Sequence, residues 1–463
     1  MLEPRRRKQL IKELEGIVGR EGVLHTPSHL ATYGYDASLY QAKPEAIVLP
    51  RSSEQVAAIV RLTHREGIPI VARGSGTNLS GGSIPARGGV VIHLSRMNRI
   101  LEIDLPNQRA VVEPGVFNLD LQNALSPLGY YYAPDPASQK VSTMGGNFGE
   151  NSGGPHCLKY GVTTNHVLGA EVVLPNGEVI WTGSKALDPP GYDLVGLLVG
   201  SEGTLGIATK IIVRIMRKPE AVQTLLAIFN TLEDASRTVS AIIGAGIIPA
   251  TLEMMDRLIM KAVEESIHAG YPLDAEAVLI IELDGIRDGM EECAEKIIQI
   301  CRTHNVREVK KAASEEERMK LWAGRKGAFG AVARLRPNYL VSDGTVPRTK
   351  LPEVLSKVVA IGEKYRLQIG NVFHAGDGNL HPLILFDARN PDELDRVHRA
   401  GAEILKACAD AGGTISGEHG IGAEKIREMS LVFSPEDMAV MKKVKKAFDP
   451  QGLMNPQKVL GNG

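Results

Sequence analysis

Two histidines, His374 and His381, stand seven residues apart in NVFHAGDGNLHPLILFD. In a straight strand they would point to opposite faces. The Gly-Asp-Gly-Asn insert between them can instead fold the chain so that both imidazoles converge, while LILF continues as a buried strand. Two converging imidazoles are half of a metal site. Downstream, GTISGEHGIGAEK supplies Glu418 and His419 in a glycine-flanked loop expected to open a helix. Two histidines and one carboxylate with open positions suit a catalytic divalent transition metal such as Zn, Mn or Fe. Any one of these histidines alone would read as an ordinary loop residue, so the set carries the argument. KLWAGRKGAFGAV, residues 320–332, adds Arg325 at an expected helix start. A guanidinium there could pair bidentately with a substrate carboxylate. Lys326 and Arg334 read as surface charges.

A second kind of chemistry is suggested by glycine, which numbers 49 and is bunched at 74–89, 145–161, 200–206, 376–378 and 412–422. ARGSGTNLSGG, residues 72–82, follows an expected strand and offers small residues with backbone N–H groups suited to an anionic diphosphate. It is neither G-x-G-x-x-G, since Leu79 takes the third glycine place, nor a Walker A loop, since no G-K-[ST] follows. A Rossmann nucleotide site is therefore disfavoured. By itself the loop could be a surface turn. STMGGNFGENSGG, CLKYG and GSEGTLGIAT shift the balance, because segments this poor in side chains let the backbone approach a large flat ligand.

The positioning elements read as mixed α+β. AIVLP, SSEQVAAIVRLTHREG and IPIVARG give strand, helix, strand; VVIHL, ILEID and RAVVEPG follow as short strands, then a helix over about 119–127. VLGAEVVLPNGEVIWTG predicts a hairpin turning at Pro175-Asn176-Gly177. Beyond Pro219 the texture changes: TLLAIFN, AVLIIELDG and NYLVSDGTVPR alternate with amphipathic helices such as LEDASRTVSAII and GMEECAEKIIQICRTHN, as in a sheet covered by helices. The tail from about Gly420 reads as helical and Lys-rich, its Asp-Pro and Asn-Pro pairs marking a chain pinned against something.

Composition bounds the partners. The 463 residues suggest two or three compact units, and 53 Lys+Arg against 54 Asp+Glu leave a net charge of −1, a poor match for nucleic acid. Hydrophobic residues at 43% and charged ones at 23% exclude disorder as a main theme. The longest weakly polar run, residues 239–252, falls short of the roughly 20 residues a spanning helix needs. The N-terminal segment has helical spacing and reads as a surface helix rather than a signal. Cys157, Cys293, Cys301 and Cys408 are scattered, which fits a reducing cytoplasm and argues against an iron–sulfur cluster carried by this chain itself.

Taken in order, PRSSEQVAAIV, RGSGTNLSGG, PDPAS, GGNFGENSGG, KYG and GSEGTLGI resemble the FAD-binding domain of the vanillyl-alcohol-oxidase and p-cresol-methylhydroxylase (PCMH) superfamily over about 170 residues. The resemblance implies that Arg73, Gly74, Ser75, Gly76, Thr77, Asn78 and Gly81 cradle the FAD pyrophosphate. It also implies that Pro134, Asp135, Gly145, Gly146, Asn151, Ser152, Glu202, Gly206 and Ile207 line the flavin and adenosine parts. Some members tether the flavin through a histidine in the first loop. Ser75 occupies this one and no His or Cys lies within 72–82, so the FAD is expected to be noncovalent, with Cys157 read as structural.

HAGDGNLH, SGEHGIG and the terminal FDPQGLMNPQKV resemble the C-terminal half of the FAD-linked D-2-hydroxyacid dehydrogenases, the family of the glycolate oxidase D-subunit and FAD-linked D-lactate dehydrogenase. By position this implies His374, His381 and Glu418 as metal ligands, His419 as general base, and Arg325 and Asn379 as substrate contacts. The implied fold is α+β: a PCMH-type FAD-binding domain over 1–218, completed by the tail 420–463, and a substrate or cap domain of antiparallel sheet and helices over 219–419. The implied reaction oxidises a small D-2-hydroxy acid, glycolate or D-lactate, to the 2-oxo acid. Electrons then pass to an iron–sulfur subunit, an electron-transferring flavoprotein or a quinone. Such an enzyme would be cytoplasmic, or peripheral to a membrane through a partner subunit. The competing readings are a non-catalytic flavin-binding subunit of a glycolate oxidase complex, a flavoenzyme of the same fold acting on another substrate class, and a metal-dependent hydrolase.

Overall fold

A computed structural model describes residues 2–186 and 190–461. The chain divides into two compact units. One comprises Met1–Gly153, Gly161–Lys218 and Glu418–Gly463, the other Gly154–Tyr160 and Pro219–Gly417.

The first unit opens with the helix Pro4–Val18, whose Leu10 and Leu14 are buried as their spacing requires. Strands β1 (Val23–Leu24), β2 (Ala46–Val48), β3 (Ile70–Arg73) and β4 (Val90–His93) form a sheet of order β1-β2-β4-β3. The strand-helix-strand opening is present with one difference. β4 lies between β2 and β3, parallel to both, because it is uniformly apolar and can be buried on either side. The connecting helix Ser53–Arg65 is capped by Ser52, which accepts from Gln55 N, and buries Val56, Ile59 and Val60.

Strands β5 (Ile100–Asp104), β6 (Arg109–Val112), β8 (Val167–Val173), β9 (Val179–Gly183) and β10 (Ile207–Arg214) make an antiparallel sheet of order β5-β6-β10-β8-β9; β7 (Tyr130–Tyr131) pairs with β11 (Met216–Arg217). The expected hairpin is β8 to β9, closing at Val173↔Val179 over the Pro-Asn-Gly turn. The tail is stitched into this unit. Asn455 N donates to Ile70 O, its amide donates to Gly82 O and Glu202 O, and buried Asp449 accepts from Leu453 N and Met454 N.

One expectation fails here. The loop after His419 does not open a helix but runs as turns to the short helix Glu428–Leu431. Glu202 takes the N–H groups of Ile421 (2.6 Å) and Gly422 (2.8 Å), and Gly422 lies so close to Ser80 O that a β-carbon would sit 2.0 Å from it. Gly420 (φ +81°) and Gly422 (φ +57°) lie in the left-handed region, through which a right-handed helix does not run.

The second unit is built on a nine-stranded sheet. Its strands are β12 (Ala221–Phe229), β13 (Thr251–Asp256), β14 (Ala277–Gly285), β15 (Glu308–Lys311), β16 (Asn338–Val341), β17 (Gly344–Thr345), β18 (Gln368–His374), β19 (Asn379–Leu380) and β20 (Pro382–Phe386). The main path is β15-β12-β14-β13-β18-β19-β17, with β20 pairing β18 and β16. Alternation along β14 sends Leu279, Ile281 and Leu283 into one core and Val278 and Ile280 into another, so both faces are covered. Helices Leu232–Gly244, Met290–Thr303 and Leu351–Tyr365 supply the first core. Arg257–Glu264 and Glu315–Val332 supply the second.

Among the described residues no disulfide joins the four cysteines, and burial pushes Cys301 and Cys408 up to about 12, which makes them inert packing residues. Among the described residues no helix is long and apolar enough to cross a membrane.

Candidate active site

In the second unit the two histidines meet through a hairpin. β18 ends at His374, residues 375–378 turn, and the chain returns with His374↔Asn379 and Asn371↔Pro382 in register. With that register His381 lies on the same face as His374, diagonal to it across the ladder. Their ring centroids are 5.1 Å apart at 82°, and both rings are buried. The Gly-Asp-Gly-Asn insert is therefore the turn, held by Asp377 Oδ1 accepting from Asn379 N at 3.1 Å. Asn379 shares the face, and its buried Oδ1 has no hydrogen-bond partner among the described residues.

Each histidine has a carboxylate behind it. Glu253 on β13 is paired directly with His374 in the β13/β18 ladder and meets its Nδ1 at 2.8 and 3.0 Å. Asp343, fully buried between β16 and β17, lies 3.3 Å from His381 Nε2. It also accepts from Ser416 Oγ (2.7 Å) and Gly417 N (3.1 Å). Burial alone would raise the carboxyl of Glu253. The charges and hydrogen bonds of His374 and Arg325 outweigh that and hold it below its ordinary value.

Arg325 does not begin a helix; it lies within Glu315–Val332, whose start is set by Ser314 accepting from Glu317 N. That helix lays one face over the sheet. Arg318 and Trp322 donate to Glu282 on β14, Arg325 donates Nε–H to Glu253 at 2.7 Å, and Phe329 meets the His381 ring edge to face at 6.2 Å. Glu282 accepts as well from Thr224 Oγ1 at 2.7 Å, and His156 stacks on Trp322. Arg325 is only 2% exposed, and its Nη2 makes no hydrogen bond although it lies 2.6 Å from Glu253 Oε2.

Glu418 and His419 follow Gly417 directly in the chain and belong to the first unit. There the main chain of His419 is held by the first glycine loop, its carbonyl accepting from Ser80 Oγ (2.9 Å) and Asn78 Nδ2 (3.3 Å).

In the first unit three glycine segments converge. A β-carbon on Gly74 would meet Thr143 Oγ1 at 2.3 Å; one on Gly149 would meet Gly203 N at 4.0 Å, and one on Gly203 the Ala72 side chain at 3.8 Å. Thr143 caps the helix Met144–Glu150 by accepting from Gly146 N. Asn151 closes it in the left-handed region, its Oδ1 accepting from Thr164 N. Such a cradle of backbone and small side chains, with no bulk to fill it, fits a dinucleotide.

Several of its side chains are already committed. Arg73 donates to Tyr35 O (2.7 Å) and Ser83 Oγ (3.1 Å), and burial lowers its pKa. The Pro134 carbonyl accepts from Asn118 Nδ2, and the Ile207 side chain is packed in the core. Asp135 is buried, as is Glu202. Burial raises both Glu202 and Glu150, and Glu202's charge raises Glu150 further; burial also brings Lys458, which faces them, down to about 8. The rest of the second bunch, Gly154–Tyr160, is counted with the second unit, where Lys159 and Tyr160 bond Asp284.

Asn78 is the organiser of the first loop. Its Oδ1 accepts from Ser80 N at 3.0 Å and Gly82 N at 2.6 Å. Asn78→Ala strands both donors, at about 1–3 kcal/mol each if they stay dry. We expect a lower melting temperature and an FAD dissociation constant raised about tenfold, read by fluorescence titration; an unchanged constant would remove Asn78 from the cradle.

Sequence reading missed Glu253, Glu282 and Asp343. The available signal was a carboxylate at an inward position of an apolar strand, as in TLEMMD and AVLIIELDG, since a buried charge requires a partner.

The class this fold and cradle fit, the FAD-linked oxidases, is the one that the family models give. Residues 44–183 match the FAD binding domain and residues 218–459 match the FAD linked oxidases, C-terminal domain. The chain is 48% identical over 445 residues to the glycolate oxidase subunit GlcD of Escherichia coli (strain K12), covering 96% of this chain and 89% of that one. It is 31% identical over 460 residues to a probable mitochondrial D-lactate dehydrogenase of Danio rerio, covering 98% and 92%. In fold it is similar to p-cresol methylhydroxylase, with a TM-score of 0.85 at 18% identity over 100% of this chain and 98% of that one. The chain belongs to the family of FAD-linked oxidases that holds the glycolate oxidase D-subunit and the FAD-linked D-lactate dehydrogenases.

Proposed function

We propose that the protein oxidises a small D-2-hydroxy acid, glycolate or D-lactate, to its 2-oxo acid with noncovalent FAD and a divalent transition metal, passing the electrons to a separate partner. The observation that carries this reading is the buried pair His374 and His381, each backed by a carboxylate, in a chain so similar to a glycolate oxidase subunit. A histidine with one ring nitrogen on a carboxylate is oriented for a cation at the other. The buried, unpartnered Asn379 Oδ1 on the same face also supports a ligand there.

When bound, FAD supplies the two-electron acceptor and the cation a Lewis acid for the hydroxyl oxygen. His374, His381 and Glu418 hold the cation. His419 takes the hydroxyl proton, its main chain steadied by Ser80 and Asn78. Arg325 faces the substrate carboxylate with the guanidinium edge that Glu253 does not occupy, and Asn379 orients the substrate. The diphosphate lies in the loop from Arg73 to Gly81. The relatives named as subunits support a separate electron carrier, whether an iron–sulfur subunit, an electron-transferring flavoprotein or a quinone.

The test is an anaerobic absorbance spectrum before and after glycolate, D-lactate and D-2-hydroxyglutarate, each added separately. Bleaching of the flavin bands by one of the first two is expected. Prior treatment with 1,10-phenanthroline should abolish it, and added Zn²⁺, Mn²⁺ or Fe²⁺ restore it. A flavin spectrum that no hydroxy acid bleaches would move the protein to another substrate class or to a scaffold role.

A further inference from the structure

We propose that Glu253 is a positioning residue for this reaction, one carboxylate that fixes both the metal-facing tautomer of His374 and the orientation of Arg325. The inference rests on the cation-dependent oxidation proposed above and adds to it a residue outside the substrate and the cation shell. Three observations carry it.

The first is geometry. Glu253 Oε1 lies 2.8 Å from His374 Nδ1, while Oε2 accepts the Arg325 Nε–H at 2.7 Å. An ionised carboxylate only accepts, so Nδ1 carries the proton, and in the neutral, metal-binding ring Nε2 presents its lone pair. The second is register. Glu253 and His374 are direct partners in the β13/β18 ladder, so their side chains share one face and cannot drift apart without breaking the sheet. Arg325 comes from a helix clamped over that face by Arg318 and Trp322 on Glu282, so three elements meet at one carboxyl group. The third is burial. Glu253 is 1% exposed and Arg325 2%, so neither ion has water to fall back on. Each is the other's buried charge partner, at 2.6 Å.

Gln at 253 keeps the size but replaces one acceptor oxygen by an N–H₂ group. That group must face either the Arg325 Nε–H or the His374 Nδ1–H, donor against donor. In the first case the guanidinium turns away; in the second the imidazole flips its tautomer.

The experiment compares the flavin-loaded wild type with E253Q and E253D. Dissociation constants for Zn²⁺ and Mn²⁺ are measured by chelator competition, FAD content by absorbance, and kcat and KM with whichever of glycolate or D-lactate the wild type oxidises. For E253Q we expect cation affinity lower by about 10–100-fold, as when the hydrogen-bond partner of a metal-ligating histidine is removed. KM should rise at least fivefold, with FAD content unchanged. E253D, which keeps the charge on a shorter arm, should recover part of both, and decides the matter if E253Q does not fold. Wild-type cation affinity and KM in a folded E253Q, or in E253D where E253Q is lost, would overturn the proposal. A wild type that oxidises a hydroxy acid but binds neither cation would overturn the metal reading, and this inference with it.

Discussion

His381→Ala and Glu418→Gln should each reduce turnover of the hydroxy acid by at least about a thousandfold while leaving FAD bound. A catalytic divalent site of two imidazoles and one carboxylate has no ligand to spare, because open positions are needed for substrate. Removing a histidine takes away one of three donors. Converting the carboxylate to an amide keeps the shape but loses the charge that offsets the cation. The transition state for proton loss from the hydroxyl then forgoes several kcal/mol of electrostatic stabilisation, and each 1.36 kcal/mol is a factor of ten. The flavin should stay, because the cradle proposed for it is built from the backbone of the glycine segments of the first unit, which neither substitution alters. Stopped-flow bleaching, metal analysis and flavin stoichiometry on the same preparations check this. Full turnover in a variant shown to hold no metal would sink the metal role.

Gly378→Val should unfold the hairpin that joins the two histidines. Gly378 has φ +82°, in the left-handed region where a β-branched residue is strained by about 1–2 kcal/mol. A β-carbon there would also sit 2.1 Å from Val346 O, a backbone atom of the residue whose own N–H donates to Gly378 O at 3.0 Å, so the two segments cannot simply move apart. Relief requires the 375–378 turn to open or β19 to shift, and a one-residue slip would send His381 to the other face. We expect a loss of about 3 kcal/mol or more, seen as a markedly lower melting temperature, together with loss of Zn²⁺ binding. Gly378→Ala should be milder but in the same direction. Wild-type melting and cation affinity in both variants would show that this turn is not what brings the histidines together.

Much of the architecture was legible because it is written in local patterns. The Pro-Asn-Gly turn of β8 and β9, the buried alternation of AVLIIELDG and the Ser52 cap each depend on residues within a few positions of one another. Errors came where a local cue had a distant cause. Arg325 was expected at a helix start, yet it lies in the middle of a long helix, where Tyr271 and Ile267 press against Gly324 and Gly327. The glycine-flanked loop after His419 suggested a helix to come, but Gly420 and Gly422 take left-handed backbone, Gly422 against Ser80 more than three hundred residues earlier. Arg73 entered the cradle through the resemblance, and that its guanidinium bonds Tyr35 and Ser83 was not legible in the loop itself.

What the sequence by itself determined is the chemistry available: two histidines on either side of a tight turn, a Glu-His pair, and loops bare enough for a dinucleotide. What only the tertiary structure decided is which groups hold them. β13 lies between β14 and β18, an order that the sequence of strands does not contain, and it is this order that puts Glu253 opposite His374 across 121 positions of chain. The physical reason is that a buried carboxylate must find its donors wherever the sheet brings them, and strand order is chosen by the burial of whole faces rather than by any one residue.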